Sequence, residues 1–301
     1  MSTPRDKETA TPQPTPLRPA LTGSFSTPAG GNPTGAMVEA AYAHHGVLAR
    51  FVNCDVPPEQ LEAAVRGAVA MGWIGFNLSL PHKQAVIPLL DGLAPSATLI
   101  GAVNCVVAGA DGLVGHNTDG AGFVAALREM REPRGRHVVV FGAGGAARAI
   151  CVELALAGAA SLRIVNRRTE RAEEIARIVR ENTATDATAR EWTGPYTVDT
   201  DADVVVNATS VGLAPDSSAR VNVVAASLQS GMLVCDVIPN PPDTPFLREA
   251  RERGTETLDG RAMLVNQAAI NIGLWTGLAP DRDVMHAALD AAIADWRHPT
   301  S

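Results

Sequence analysis

The sequence predicts an α/β fold of repeated βα units, distributed over two domains. Three observations carry this. Strand-length apolar bursts alternate with helical patterns from residue 21 to about residue 107 and again from 137 to 240, the signature of parallel βα units. At 301 residues the chain exceeds what one hydrophobic core usually serves. A glycine-rich turn separates a valine run from a helical pattern over 137–159, opening a second βα series.

The elements follow in order. Residues 1–18, "MSTPRDKETATPQPTPLR", are rich in Pro and Thr and lack an apolar h-region, so a disordered tail is expected rather than a signal peptide. "RFVNCDV" over 50–56 predicts a strand. "PPEQLEAAVRGAVAMG" over 57–72 predicts a helix with Pro in its first turn and Gly72 at its end. "WIGFNLSL" over 73–80 is the next strand, and "HKQAVIPLLDGL" over 82–93 a helix or turn. Residues 101–119 hold a strand, a D-G turn and a loop entering a helix at Gly120. The second series runs through "HVVVFGAGGAARAICVELALAGA", a strand over 161–168, a charged helix over 169–182, and strands over 201–210 and 231–240. Residues 263–278 and 283–297 are helical by apolar spacing, and the break between domains is expected near 120–136.

Composition narrows the function. With 46% hydrophobic and 19% charged residues the chain reads as an ordinary globular protein. A formal charge of −7 without a basic block disfavours nucleic acid as a partner. Cys54, Cys105, Cys151 and Cys235 are far apart, which predicts buried thiols in a reducing compartment and neither a metal site nor a disulfide framework. The longest apolar stretch, 138–160, carries Arg148, Glu153 and several glycines, so no membrane span is expected and a cytoplasmic location is.

The glycine turn is the first chemical signal. Gly142 permits a tight turn, and Gly144 and Gly145 let bare backbone approach a pyrophosphate at a helix N-terminus. Ala147 stands where the third glycine of the usual pattern falls, and a tight βα turn that binds nothing has the same appearance. About 20 residues on, where an acidic group would receive a ribose, the next strand ends in Asn166, Arg167 and Arg168, with Arg171 one turn further. Up to three guanidiniums and no carboxylate suit a 2′-phosphate, hence NADP(H) rather than NAD. Some of the charges in "RRTERAEE" belong to a solvated helix face.

Four polar stretches form the second signal: "NLSLPHK", "GAVN", "GHNTDG" and "NQAA". Three lie at strand ends, where ligands of open α/β sheets sit. One Lys, one Asp, several amides and a hydroxyl suit a small polyol. Lys83 alone reads equally as a snorkelling surface residue, and Asp119 as an N-cap ahead of "GAGFVAAL".

With these motifs in hand, the chain resembles the shikimate dehydrogenase family, which includes quinate/shikimate dehydrogenases. The resemblance runs from Leu21 to Gly277 through "NLSLPHK", "IGAVN", "GHNTDGAGF", "FGAGGAARA", "NRR", "NATSVG", "TPFL" and "DGRAMLVNQAA", in that order. It implies two α/β domains: a substrate-binding domain over 19–120 completed by C-terminal helices over 262–298, and a Rossmann NADP-binding domain over 121–261. A cleft between them would hold substrate against nicotinamide. Lys83 and Asp119 match the family's catalytic pair. A Lys hydrogen-bonded to the reacting hydroxyl, with a carboxylate beside it, can relay the proton as hydride leaves carbon. Burial disfavours the ammonium and the carboxylate favours it, and the sequence leaves that balance open.

Ser79, Asn104 and Gln267 match positions that bind ring hydroxyls, though each is also an ordinary strand-end or helix-facing group; Asn77 is expected to shape its loop. The resemblance extends the cofactor contacts to Ala143, Ala146, Thr209, Ser210, Val211, Val237 and Gly260. It implies the reaction 3-dehydroshikimate to shikimate with NADP(H), a small cyclic polyol as partner, no metal, and a monomer or homodimer.

The chain departs from the family at three places. Asn32 and Thr34 stand where two substrate-binding Ser residues are usual, and Pro239 replaces a Tyr in "DVIPNP". All three positions face the substrate carboxylate in the family, and losing one hydroxyl donor to it costs about 1.5–3 kcal/mol. Drift in a shikimate enzyme explains this; so does a variant substrate such as quinate, aminoshikimate or another cyclitol. Two other classes compete. A methylenetetrahydrofolate dehydrogenase would share the glycine loop but not "GHNTDG" with "NQAA", and a nucleotide-binding regulator would not need Lys83 and Asp119 together.

Overall fold

The computed structural model describes residues 18–296, so the expected tail and residues 297–298 lie outside the described residues, apart from Arg18. The first half of the chain contributes β1 (Ala20–Ser26), α1 (Thr34–His44), β2 (Ala49–Asp55), α2 (Leu61–Ala70), β3 (Gly75–Leu78), α3 (His82–Ala85), β4 (Gly92–Leu93), α4 (Pro95–Ile100), β5 (Cys105–Gly109), β6 (Gly112–His116) and α5 (Asp119–Arg128). The second half contributes β7 (His137–Phe141), α6 (Gly145–Leu156), β8 (Ser161–Asn166), α7 (Thr169–Asn182), β9 (Asp186–Glu191), β10 (Val204–Asn207), β11 (Leu233–Asp236), α8 (Pro245–Glu252) and β12 (Glu256–Leu258). Helices α9 (Gly260–Thr276) and α10 (Arg282–Trp296) close the chain.

The strands form two six-stranded sheets, in the orders β2-β1-β3-β5-β6-β4 and β12-β11-β10-β7-β8-β9. The second sheet is parallel throughout and reads outward in both directions from β7, the doubly wound order of a dinucleotide fold. Its central strands carry Val138–Val140 and Val204–Val206 fully buried, as expected for strands covered by helices on both faces. The first sheet is mixed. β1 pairs in parallel with β2 and β3, but β3 with β5 and β5 with β6 run antiparallel.

That hairpin corrects the expectation of parallel units and of a loop after the D-G turn. Gly112 adopts φ +85, the left-handed turn position, and Asp91 Oδ2 accepts a hydrogen bond from Leu113 N at 2.7 Å, which pins the returning strand. The expected helix over 57–72 begins only at Leu61, after a turn of tighter helix at Pro58–Gln60. Strands β9 and β12 pass unnoticed in the sequence. Both are short, polar edge strands whose side chains are half exposed.

Helices α9 and α10 pack with α1 over the first sheet, burying Met37, Val265, Ile272 and Leu289 in one cluster. Helix α5 lies between the halves. A Cβ on Gly120 would stand 2.2 Å from Ala149 O of α6, and one on Gly122 2.7 Å from Gln267 N of α9. Two glycines therefore let one helix touch both neighbours, backbone to backbone.

Candidate active site

The tips of β3, β5 and β6 converge on one ammonium and one carboxylate. Strand β3 ends at Leu78, a tight turn follows, and α3 starts at His82, whose ring is buried with Nε2 2.7 Å from Val56 O. That anchor aims the next side chain, Lys83, inward, and Lys83 Nζ donates to Asp119 Oδ2 at 2.7 Å. The side chains are 28% and 17% exposed, so Lys83 does not snorkel to solvent. Nor does Asp119 cap α5. Thr118 holds the cap position without a side-chain cap bond, and Asp119 is the first helical residue, where the helix N-terminus favours a carboxylate.

A buried amide network fixes this pair. Asn104 Nδ2 lies 2.8 Å from Asp119 Oδ1, 3.0 Å from Thr118 Oγ1 and 3.2 Å from Gln267 Oε1. Its Oδ1 accepts from Thr118 N at 2.7 Å, and its backbone carbonyl receives Asn77 Nδ2 at 2.9 Å and Leu78 N at 2.9 Å. Thr118 Oγ1 donates to Asn271 Oδ1 at 2.7 Å, and Asn271 Nδ2 to Gln267 Oε1 at 3.4 Å. Gln267 Nε2 donates to no acceptor among the described residues and stays free for a ligand. Ser79 sits at the tip of β3, its backbone N–H bonded to Phe25 O at 3.0 Å and its hydroxyl unclaimed. Thr118 and Asn271 were not singled out in the sequence, because a Thr ahead of a helix and an amide within one carry no special pattern.

At the neighbouring strand ends the substituted positions form their own circuit. Asn32 Nδ2 donates to Ser24 Oγ at 3.2 Å, Ser24 Oγ to Asn53 Oδ1 at 2.7 Å, and Asn53 Nδ2 to Asn32 O at 3.0 Å. Asn32 Oδ1 accepts from Thr34 N at 3.0 Å, and Thr34 itself is buried. Ser24 is the register partner of Asn77, so this circuit adjoins the amide network. Pro239 is half-buried on the loop after β11 and lines the adjacent cleft.

That cleft, about 860 Å³, opens at the reversal point of the parallel sheet. Gly142 adopts φ +108, and a Cβ there would stand 2.8 Å from Ala208 O, so glycine is required. A Cβ on Gly144 or Gly145 would meet nothing within 4 Å; both face open space at the start of the twelve-residue α6. Ala143, Ala146, Asn166, Arg167, Arg168, Arg171, Thr209, Ser210, Val211 and Val237 also line the cleft. Asn166 Nδ2 donates to Arg168 O at 2.8 Å and shapes the basic turn. On α7, Arg177 pairs with Glu181 and Arg180 with Glu173, whereas Arg167, Arg168 and Arg171 have no carboxylate partner among the described residues. Three unpaired guanidiniums beside an exposed backbone turn fit a dinucleotide carrying a 2′-phosphate.

Gly260 does not line this cleft; a Cβ there would stand 2.5 Å from the backbone of Val237 and Ile238, so its absence lets α9 start against that loop. Trp192, Thr193, Arg220 and Asn222 line it without having been expected. They follow an unrecognised edge strand or a loop, where sequence offers no signal. Leu80, from the first half of the chain, shares the wall with Gly142 and Pro239, which sets Lys83's loop against the glycine turn.

One buried carboxylate organises the floor. Asp236 Oδ1 accepts from Asn207 Nδ2 at 3.0 Å and Ile238 N at 3.1 Å, and Oδ2 from Thr244 Oγ1 at 2.7 Å. Burial pushes its carboxyl up to about 6 despite these donors.

Comparison with known proteins places most of the chain in one family. Residues 28–106 match the family described as shikimate dehydrogenase substrate binding domain, 125–248 that of shikimate / quinate 5-dehydrogenase, and 260–289 that of shikimate 5'-dehydrogenase C-terminal domain. A protein of Desulforamulus reducens named shikimate dehydrogenase (NADP(+)) is 41% identical over 278 residues, 90% of this chain and 95% of its own length. Among solved structures, a ligand-free 5-ketofructose reductase of Gluconobacter sp. strain CHM43 superposes with a TM-score of 0.89 at 52% identity, covering 92% of this chain and 99% of the other. Shikimate 5-dehydrogenase from Thermus thermophilus, in complex with NADP(H) and shikimate, superposes with a TM-score of 0.81 at 33% identity, covering 91% and 99%.

Proposed function

The chain belongs to the shikimate dehydrogenase family, and on that premise we propose that it interconverts a ketone and a secondary alcohol of a small polyhydroxylated substrate with NADP(H), Lys83 and Asp119 relaying the proton. As a member it is an NADP-dependent oxidoreductase acting on a CH–OH group. The 3-dehydroshikimate/shikimate pair is the substrate reading carried by the curated relatives. Residues 19–120 with 262–298 form the substrate domain of this reading, and 121–261 the cofactor domain.

The observation that carries it is the Lys83–Asp119 pair at 2.7 Å, beside a loop that shares a wall with the glycine turn. NADP(H), when bound, supplies or takes up the hydride. In the reducing direction Lys83 Nζ keeps two N–H donors after serving Asp119, and these stabilise the negative charge that grows on the carbonyl oxygen. Lys83 then gives a proton to that oxygen, and Asp119, held by Asn104 Nδ2, orients the amine for its refilling from solvent. Ser79 and Gln267 Nε2 hold neighbouring hydroxyls and so fix which carbonyl meets Lys83. Unpaired Arg167, Arg168 and Arg171 take the 2′-phosphate, and bare Gly144 and Gly145 the pyrophosphate.

A second substrate reading, a polyhydroxy ketone without a carboxylate, is favoured by one specific observation: the ring of Pro239, which offers no hydrogen-bond donor, lines the cleft where the family has a Tyr hydroxyl. The Gluconobacter neighbour is named for such a ketose. The compartment proposed is the cytoplasm and the assembly a monomer or homodimer; all four cysteines are free thiols, and among the described residues no helix is long and apolar enough to cross a membrane.

The test is NADPH formation or consumption with a panel of cyclic polyols, ketoses and their oxidised forms. Lys83→Ala should lower kcat by about a hundred- to ten-thousandfold while the NADPH dissociation constant stays within about twofold. Retained turnover in that variant removes the relay.

A further inference from the structure

We propose that the indole of Trp192 is the platform on which the adenine of NADP(H) stacks, a cofactor contact supplied by the end of the edge strand β9. This rests on the NADP(H) reading above and deepens it.

One ribose of the cofactor carries the pyrophosphate on its 5′ oxygen, the extra phosphate on its 2′ oxygen and the adenine on C1′. With the pyrophosphate at Gly144 and Gly145 and the 2′-phosphate at Arg167, Arg168 and Arg171, that ribose lies between the tips of β7 and β8. The base leaves the same sugar, so its seat has to adjoin both turns.

Trp192 is fastened at that place. Strand β9 pairs with β8 as far as Glu191 and Asn166, and Trp192 is the next residue; its backbone N–H donates to Asn166 O at 3.2 Å, directly ahead of Arg167. Its ring packs on Phe141, the buried last residue of β7 and the neighbour of Gly142, with centroids 5.1 Å apart and planes inclined at 43°. Trp192 Nε1 donates to Asn222 O at 3.0 Å, and Tyr196 N donates to the same carbonyl at 2.9 Å. One residue is thus tied to the strand that feeds the glycine turn, to the strand that feeds the basic turn, and to the loop carrying Asn222.

The ring is half-buried, and it is the one aromatic side chain lining the cleft among the described residues. With its single donor engaged by Asn222 O, it offers the cleft only aromatic carbon. A purine is the part of a dinucleotide that matches such a surface, because its flat π-face stacks on indole whereas sugar and phosphate gain nothing there. Phe141 and the Asn222 carbonyl set the orientation of the ring before a ligand arrives, so little side-chain freedom is left to lose on binding.

The test is calorimetric titration of the full chain with NADPH and with adenosine 2′,5′-bisphosphate, the part of the cofactor that carries the base, together with tryptophan fluorescence on adding the bisphosphate. Trp192→Leu, which keeps an apolar filler against Phe141, should weaken both ligands about fivefold to a hundredfold, the loss of one stacked base. Trp192→Phe, which keeps an aromatic face, should bind the bisphosphate within about threefold of wild type. Saturating bisphosphate should quench indole emission in wild type and leave it unchanged in Trp192→Phe, since Trp73 and Trp275 are buried in the cores of the first half. Wild-type affinity in Trp192→Leu, equal losses in the Leu and Phe variants, binding to wild type without quenching, or quenching that survives in Trp192→Phe each overturns the inference and leaves the cofactor reading standing. A wild-type protein that binds neither ligand overturns the cofactor reading, and the stack with it.

Discussion

Replacing Asn104 by Ala removes the hub that joins the Asp119 carboxylate to Thr118 and Gln267. Two losses can be sized from the geometry. Thr118 N, buried and 2.7 Å from Asn104 Oδ1, is left without that acceptor, which costs about 1–3 kcal/mol. The charge-assisted bond from Asn104 Nδ2 to Asp119 Oδ1 at 2.8 Å contributes about 1.5–3 kcal/mol. The two share one side chain and are not independent, so the expected destabilisation is about 3 kcal/mol. Urea unfolding of wild type and variant measures it. A cycle with Asp119→Asn isolates the pair, with a coupling of about 1–2 kcal/mol. In parallel kcat should fall about tenfold or more, because Asp119 keeps Lys83 but loses the donor that holds its other oxygen. A variant within about 0.5 kcal/mol of wild type, with kcat unchanged and no coupling to Asp119, would falsify the reasoning.

Two further outcomes test the cofactor side. The double variant Arg167→Ala/Arg168→Ala should weaken NADPH binding about tenfold to a hundredfold and leave NADH within about threefold, read by fluorescence titration of both; equal losses for the two would remove the 2′-phosphate assignment. Asp236 has its carboxyl raised from 3.8 to about 6 by burial, so the folded protein holds this proton more tightly than the unfolded chain. Its stabilising contribution is complete below pH about 4 and lost as pH rises through about 6, a difference of about 3 kcal/mol. Relative to Asp236→Asn, wild type should lose about that much between pH 4 and pH 7 in urea titrations; a constant difference would contradict it.

The parts of the fold legible in the sequence are those where one local rule is strong. "VVVF" followed by Gly142, Gly144 and Gly145 specifies a buried strand, a left-handed turn and a helix start, and the structure has them at β7, Gly142 and α6. The amphipathic helix over 169–182 coincides with α7. Where tertiary context decides, the reading fails. Strand β6 depends on pairing with β5 across a turn braced by Asp91, a residue 20 positions or more away from its partner Leu113. The side chain of Asp119 has two local outcomes, capping or pairing, and only the arrival of Lys83 from another strand tip selects the second. The circuit through Asn32 is likewise invisible before the fold, since it needs Ser24 and Asn53 from two adjacent strands.

The glycines of α5 bear on the place of the Lys83–Asp119 pair. Asp119 opens the very helix that is pressed, by Gly120, onto α6 and, by Gly122, onto α9. A methyl group at either glycine has to push α5 off a neighbour's backbone and carry Asp119 with it, so two residues without side chains fix where the carboxylate meets Lys83.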